Sequence, residues 1–576
     1  MSLLRALSSR VPPITRDEFA KFFQKSRPPV GWPETIAVGN SGGPDSTCLL
    51  FLINRHLKEN AGQPDIPRRV VSVHVNHGLQ AASNDMARQC EEVAKSLGVE
   101  HHTHSVPWDE QGISPKPEEN SPIMEYSARI ARYRTLFFAM LHTKADVLAM
   151  GHHLDDQVET AVMRIYKGST EEGAGGMRFC RRWGMGFGSQ RPNADIGWNA
   201  HEGMRRWIAR PLLGLPKERL LATCEENQLE YVTDETNTMA HVTIRNAIRM
   251  WLKNKGEQSE DSARLDRIER KVSHLKSDLV SLDLSSGVEQ LYGAVMALNA
   301  QAQDIESQVD SILSRCTLRS PPGTWMTTCR GISFVRDEKL RRALVLRILR
   351  FISFHPWGSL KAQVKRRNMG LMQISEKLWD PNPLSPVIPE FCAGGGVQWA
   401  PVIIQGSNFR FPRHSSPFLT EGQSVGWMAF RQRPPTMVWR VDARDSLRVD
   451  LTPILASHLQ LGTVFEYLYD CRFLLTFDLA KIPGDILRII RDPDHGEGLW
   501  LKPCTKWFWP RLVWKRVGHE DVVLHSKVTL QSPPPATVGF DSQLNLSSKP
   551  EVFWHDNPQP EVPWVKAEFI RTLSSL

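Results

Sequence analysis

Residues 35–53 read TIAVGNSGGPDSTCLLFLI, two apolar runs separated by Ser41-Gly42-Gly43-Pro44-Asp45-Ser46. The first run is a strand with β-branched residues, and the second has the length and composition of a buried helix. A strand, a glycine turn and a helix start in this order place backbone N–H groups and the positive end of a helix around one point. Glycines let the main chain come close to a ligand, and a helix N-terminus favours an anion, of which phosphate is the obvious biological case. No G-K-[ST] follows, which excludes the Walker loop and its lysine. Asp45 would repel a bare phosphate but suits a magnesium ion that bridges to one.

Outward from this loop, strand and helix patterns alternate to about residue 250. RRVVSVHVN, EHHTHSV and DVLAMGHH read as strands. NDMARQCEEVAKS, IMEYSARIARYRTLFFAMLHT and LDDQVETAVMRIY read as helices. Such alternation predicts an α/β fold with a doubly wound parallel sheet, whose ligands bind at the carboxyl ends of the strands. Residues 178–206, rich in Gly, Arg and Trp, break the pattern and read as a long loop. The expected domains are a catalytic domain over 31–252, a helical domain over 256–380 and a mixed or β-rich region over 390–576. Leu265, Ile268, Val272, Leu275, Leu279 and Leu282 recur at 3-4 spacing, too few heptads for a coiled coil and suited to a bundle helix.

At 576 residues the chain exceeds one compact core, and its 41% hydrophobic and 23% charged content is ordinary for a globular protein. The sequence has no apolar run of membrane-spanning length. The net charge of +8 favours a polyanionic partner. Nine dispersed cysteines, none in a C-x-x-C pair, write no zinc ribbon or dithiol motif and suit a reducing compartment. The opening MSLLRALSSRVPPITR has leucines, arginines and serines and no acid before Asp17, the composition of a mitochondrial presequence within residues 1–30.

Further motifs follow in order: HVNHGL at 74–79, ARIARY at 128–133, GHHLDDQVET at 151–160, ARPLL at 209–213, and DETN with IRNAIR at 234–249. Asp156 and Glu159, three apart, share one helical face and form a candidate Mg2+ site with Asp45. Each motif alone has an ordinary explanation as a solvated face or a satisfied loop residue. Together SGGPDS resembles the PP-loop of the ATP pyrophosphatases (adenine nucleotide alpha hydrolase-like), and the full series resembles the tRNA(Ile)-lysidine synthetases. The resemblance covers roughly 35–252. Asn76 and Gln80 depart from residues common in that family, and the 178–206 insertion is unusual in it.

The resemblance implies that ATP is split to AMP and diphosphate while the C2 oxygen of the wobble cytidine in a CAU-anticodon isoleucine tRNA is adenylated. Free lysine then displaces AMP to give lysidine. It implies ATP binding by Ser41, Gly42, Gly43, Pro44, Asp45, Ser46, His74 and Gly151. It assigns Asp45, Asp156 and Glu159 to Mg2+, and Arg129, Arg132 and Arg245 to charge stabilisation in catalysis. A basic cluster containing Arg341, Arg342, Lys365 and Arg366 is the expected tRNA-phosphate contact, with solvated helix faces as the plainer explanation. Two other readings stand beside this one: a thiolase of cytidine or uridine, against which the lack of paired cysteines counts, and a tRNA-binding protein with an inactive nucleotide site.

Overall fold

The computed structural model describes the chain except residues 1–10, 81, 110–112, 114, 119–123, 168, 170, 186–200, 233–287, 360–361, 363–367, 380–388, 413–418, 434–446, 461, 493–495, 531–559 and 575–576. It divides into two compact units, one of residues 1–183 and 205–304, the other of 184–204 and 305–575.

The first unit is built on six strands: β1 (Thr35–Gly39), β2 (Arg69–Asn76), β3 (Glu100–Ser105), β4 (Val147–Ala149), β5 (Cys180–Arg182) and β6 (Trp207–Ala209). Their order is β3-β2-β1-β4-β6-β5, parallel throughout except for β5, which runs antiparallel to β6 at the edge. The sheet is therefore parallel as the alternation predicts, and β5 lies at the start of the segment expected to be loop. Helices α1 (Arg16–Lys25), α2 (Pro44–Glu59), α3 (Ser83–Ser96), α4 (Met124–Thr143), α5 (Leu154–Tyr166) and α6 (Lys217–Glu226) accompany it. The chain leaves β1 for β2 and β3 on one side, then returns to β4 on the other. That reversal opens a crevice at the carboxyl ends of β1 and β4. β1 is almost wholly buried, which explains its unbroken apolar sequence.

Helix α1 falls inside the stretch 1–30, yet Ile14, Phe19 and Phe23 fill the sheet's core beside Leu49, Ile53 and Leu220. Residues from Ile14 onward thus belong to the folded unit. On the other side, α5 packs Val158, Val162 and Ile165 against Leu291, Val295 and Leu298 of the long helix Val288–Cys316.

Among the described residues, the second unit holds one five-stranded and two four-stranded sheets. Thr324–Thr328, inside the span expected to be helical, pairs antiparallel with Gln423–Arg431. Helix Glu338–Ile352 shares a core with strands as distant as Val565–Phe569. The helices of 305–380 therefore join the β-rich region around Trp325, Trp399, Trp427, Trp509 and Trp564. No helix among the described residues is long and apolar enough to cross a membrane.

On β3, His101 Nδ1 lies 2.9 Å from Ser72 Oγ, and burial, with His74 and His102 nearby, pushes its pKa down to about 4. The unfolded chain takes up that proton near pH 6.5, so the stabilisation is full above about pH 6.5 and is lost as pH falls toward 4. Urea unfolding across this range is expected to show the loss, and His101→Gln to lessen its slope.

Candidate active site

The loop after β1 is organised by a residue outside the glycine motif. Asn40 Oδ1 accepts from the Gly42 N–H (3.0 Å) and from Ser46 Oγ (3.3 Å), while its amide donates to Ser72 Oγ on β2 (3.2 Å). The Ser41 N–H donates to Ser46 Oγ (3.1 Å), and that hydroxyl also reaches the Gly43 carbonyl (3.0 Å). Side chains of this type bond the backbone two residues on, so the N-S-G-G order was a usable sequence signal. The consequence is that the Ser41 and Gly42 amides are held inside the loop.

Gly43 caps α2 without a side-chain bond, and Pro44 occupies the first turn. The first-turn N–H groups of Asp45 and Ser46 have no intrahelical acceptor and point toward the crevice end of the helix. Gly42 adopts φ +82°, and a Cβ there would meet Cys90 Sγ at 3.0 Å. His74, which the resemblance assigns to nucleotide, is buried beneath the loop, and its Nδ1–H donates to the Asn40 carbonyl (2.9 Å). Its described contact is to the loop's floor.

The loop after β4 meets the first one backbone to backbone. A Cβ on Gly151 would stand 2.9 Å from the Asp45 carbonyl oxygen and 3.1 Å from the Ser46 nitrogen, so only glycine permits this approach. Next to it, His153 Nε2 lies 3.6 Å from Asp45 Oδ2 and 3.5 Å from Asp156 Oδ2, and its Nδ1 lies 3.2 Å from Asp155 Oδ2. Burial opposes a charge on His153, but its bonds to Asp155 and Asp45 and the field of Asp156 prevail and raise it to about 10. Burial would likewise raise Asp155. His153, the Tyr292 hydroxyl (2.7 Å) and the Lys217 N–H (2.9 Å) instead hold it well below the usual carboxylate range. Asp155 lies within the GHHLDDQVET motif but was not singled out beside Asp156, and nothing local marks Lys217 or Tyr292. Lys217 Nζ also stands 3.7 Å from Asp45 Oδ2.

Asp45 and Asp156 are thus brought together around one imidazolium, and buried Glu159 follows one turn along α5. Asp45 Oδ1 is buried and has no hydrogen-bond partner. An orphaned carboxylate oxygen beside a helix N-terminus fits a hard cation that bridges to phosphate, so the residues present suit Mg2+.

A second set of charges lies on α4 and beyond β6. The Arg129 guanidinium stands 5.5 Å from the Tyr133 ring centroid. Arg210, of ARPLL, is almost fully buried, donates to the Arg178 carbonyl (2.9 Å) and has an unpartnered Nε. Burial, with Arg181 nearby, lowers it to about 10. Burial would raise Tyr133, but the fields of Arg210, Arg129, Arg181 and Arg132 hold it below its ordinary value. His77, at the end of β2, is pushed down to about 4 by burial and by the charge of Arg132, and its buried Nδ1 has no partner. Arg181, Arg210 and His77 are site residues absent from the sequence-based set. Arg245, Lys365 and Arg366 lie outside the described residues.

The basic cluster of the second unit is partly consumed by folding. Arg347 is buried and paired with Glu306 and Asp310, and Arg350 donates to the Ser574 carbonyl (2.9 Å). Arg341 Nε donates to the Val335 carbonyl (2.7 Å), and its guanidinium stands 5.2 Å from the Trp379 ring centroid. Arg342 is half-buried on the same helix.

A family profile described as a PP-loop domain matches residues 14–255. A tRNA(Ile)-lysidine synthase of Methylobacterium nodulans is 30% identical over 269 residues, which cover 47% of this chain and 68% of that protein. The chain belongs to the tRNA(Ile)-lysidine synthase family. The synthase of Bacillus subtilis is 32% identical over 216 residues, 37% of this chain and 39% of its own. That of Legionella pneumophila (strain Paris) is 30% identical over 202 residues, 35% and 38% respectively. The chain thus spans about two fifths of the length of these last two relatives. The profile begins where Ile14 enters the core.

Gly151→Ala tests the loop contact. The added methyl must displace the Asp45 and Ser46 backbone, so ATP affinity measured by calorimetry is expected to fall roughly 10- to 100-fold. The melting temperature should fall far less than that loss would imply for global unfolding.

Proposed function

We propose that this chain uses ATP to join lysine to C2 of the wobble cytidine in an isoleucine tRNA with a CAU anticodon. The observation that supports it most is the meeting of the SGGPDS loop and the GHHLDD loop at the sheet's reversal point, in a chain of this family. In the proposed sequence the C2 oxygen attacks the α-phosphorus of ATP and pyrophosphate leaves. The lysine ε-amine then attacks C2, and AMP departs with that oxygen.

The chain's own groups suit each part. The uncapped N–H groups of Asp45 and Ser46 would meet the phosphates as fixed donors. Asp45 and Asp156, with Glu159 behind them, would hold Mg2+, which supplies charge neutralisation to the phosphates. Arg129, Arg132, Arg181 and Arg210 form a cationic wall suited to the α-phosphate or the tRNA backbone, and Arg245 is assigned the same role by family likeness. His153, which lies against Asp45, Asp155 and Asp156, would hold these carboxylates in place. The cytidine must leave its stack to enter, which needs a wide grip on the tRNA. Arg341, Arg342, Lys365 and Arg366 are proposed for that grip. The basic, acid-poor segment ahead of Ile14 supports delivery to the mitochondrial matrix, and a reporter fused to it would show whether it directs import.

The decisive assay incubates the full chain with ATP, Mg2+, radiolabelled lysine and a CAU-anticodon tRNA. Label on the tRNA is expected to require ATP, to vanish when the wobble cytidine is changed, and to fall about 100-fold or more in Asp45→Ala. Unlabelled tRNA that still binds tightly would favour the thiolase or inactive-site reading, which ATP–pyrophosphate exchange separates.

A further inference from the structure

Residues 184–185 and 201–204 lie between parts of the first unit in sequence but belong to the second unit. These two stretches are pinned together. The Gly184 N–H donates to the Gly203 carbonyl (2.9 Å), and the Met185 N–H to the Trp357 carbonyl (3.0 Å). Met185 and Met204 are buried with Leu468, Leu474 and Ile570. This anchoring presents His201 and Glu202 to Glu466, which lies on strand Val464–Tyr469.

There three donor groups converge. His201 Nε2 stands 2.5 Å from Glu466 Oε2 and 3.3 Å from Glu202 Oε1, and the three donor atoms all lie within 4.8 Å of one another. The His201 side chain is only 12% exposed, and the two carboxylates are 31% and 28% exposed. A protonated histidine would explain the approach if its N–H pointed at one oxygen. Instead Nε2 is buried, and the Glu466 oxygen is close but out of line, so that no hydrogen bond forms. An imidazole nitrogen and two carboxylate oxygens facing one point offer three converging donors to a cation. Metal bonds of about 2.1 Å set neighbouring donors about 3.0–3.4 Å apart, near the His201–Glu202 spacing, and a small movement of Glu466 would complete the set.

We propose that His201, Glu202 and Glu466 bind a divalent transition cation that fastens the Gly184–Met204 segment to the strand carrying Glu466. The imidazole favours zinc over magnesium, and two carboxylates complete a borderline donor set with solvent in the remaining position. The site uses none of the residues assigned above to ATP or Mg2+.

The test uses the full chain, stripped with chelator and titrated with Zn2+ alone. One more equivalent is expected to bind to the wild type than to His201→Ala or Glu466→Gln, and to raise the melting temperature of the wild type by about 2–4 °C. Asp45→Asn should retain that equivalent. X-ray absorption on the zinc-loaded wild type, which needs no variant to fold, should show an N/O shell with the outer scattering of one imidazole. Equal zinc content in all proteins, or a sulfur shell placing the ion on cysteine, would overturn the proposal and leave the cluster as a histidine–carboxylate ion pair only.

Discussion

The contact between Gly151 and the backbone of Asp45 and Ser46 is the constraint on which the active-site end of the first unit depends. It joins the loops that follow β1 and β4 where the sheet reverses direction. A larger residue at 151 would part the two loops and separate the α2 N-terminus from the carboxylates of α5. Asn40 stiffens one loop from below, and His74 closes its floor. The geometry is therefore held by neutral hydrogen bonds and close backbone packing, which are in place before any nucleotide arrives.

Charge is balanced around that contact. Three aspartates would repel one another in a half-buried crevice, and a protonated His153 with Lys217 offsets much of that repulsion. Asp155, bonded to His153, Tyr292 and the Lys217 N–H, is best regarded as a strut, whereas Asp45 keeps an unpartnered oxygen. Elsewhere in the first unit arginines gather about Tyr133, whose hydroxyl donates to Met150 Sδ ahead of the loop after β4.

The second unit shows why counting cations in the sequence gives a poor map of exposed charge. Arg347 and Arg350 look like surface charges in a helix of sequence LRRALVLRILRFI, yet their guanidinium groups end on acids and on carbonyls near the chain's end. Long stems let such residues cover apolar surface while their heads find partners. The same unit buries large tryptophans from both its helical and its β-rich stretches. Their rings fill a core common to helices and sheets, so the helical and β-rich stretches fold together.

The parallel sheet, the strand–loop–helix around SGGPDS and the carboxylate-bearing helix after β4 were all legible in the sequence, because each rests on short-range periodicity and turn chemistry. So was the family likeness, which is a matter of motif order. The antiparallel edge strand β5, the descent of α1 into the core and the pairing of Thr324–Thr328 with Gln423–Arg431 were not legible. Nor were the roles of Asp155, Lys217, Arg181 and Arg210, or the meeting of His201 with Glu466. These depend on partners far apart in the chain. Local pattern states which residues a segment prefers to bury, and only the closed tertiary structure decides which distant charge or carbonyl each will face.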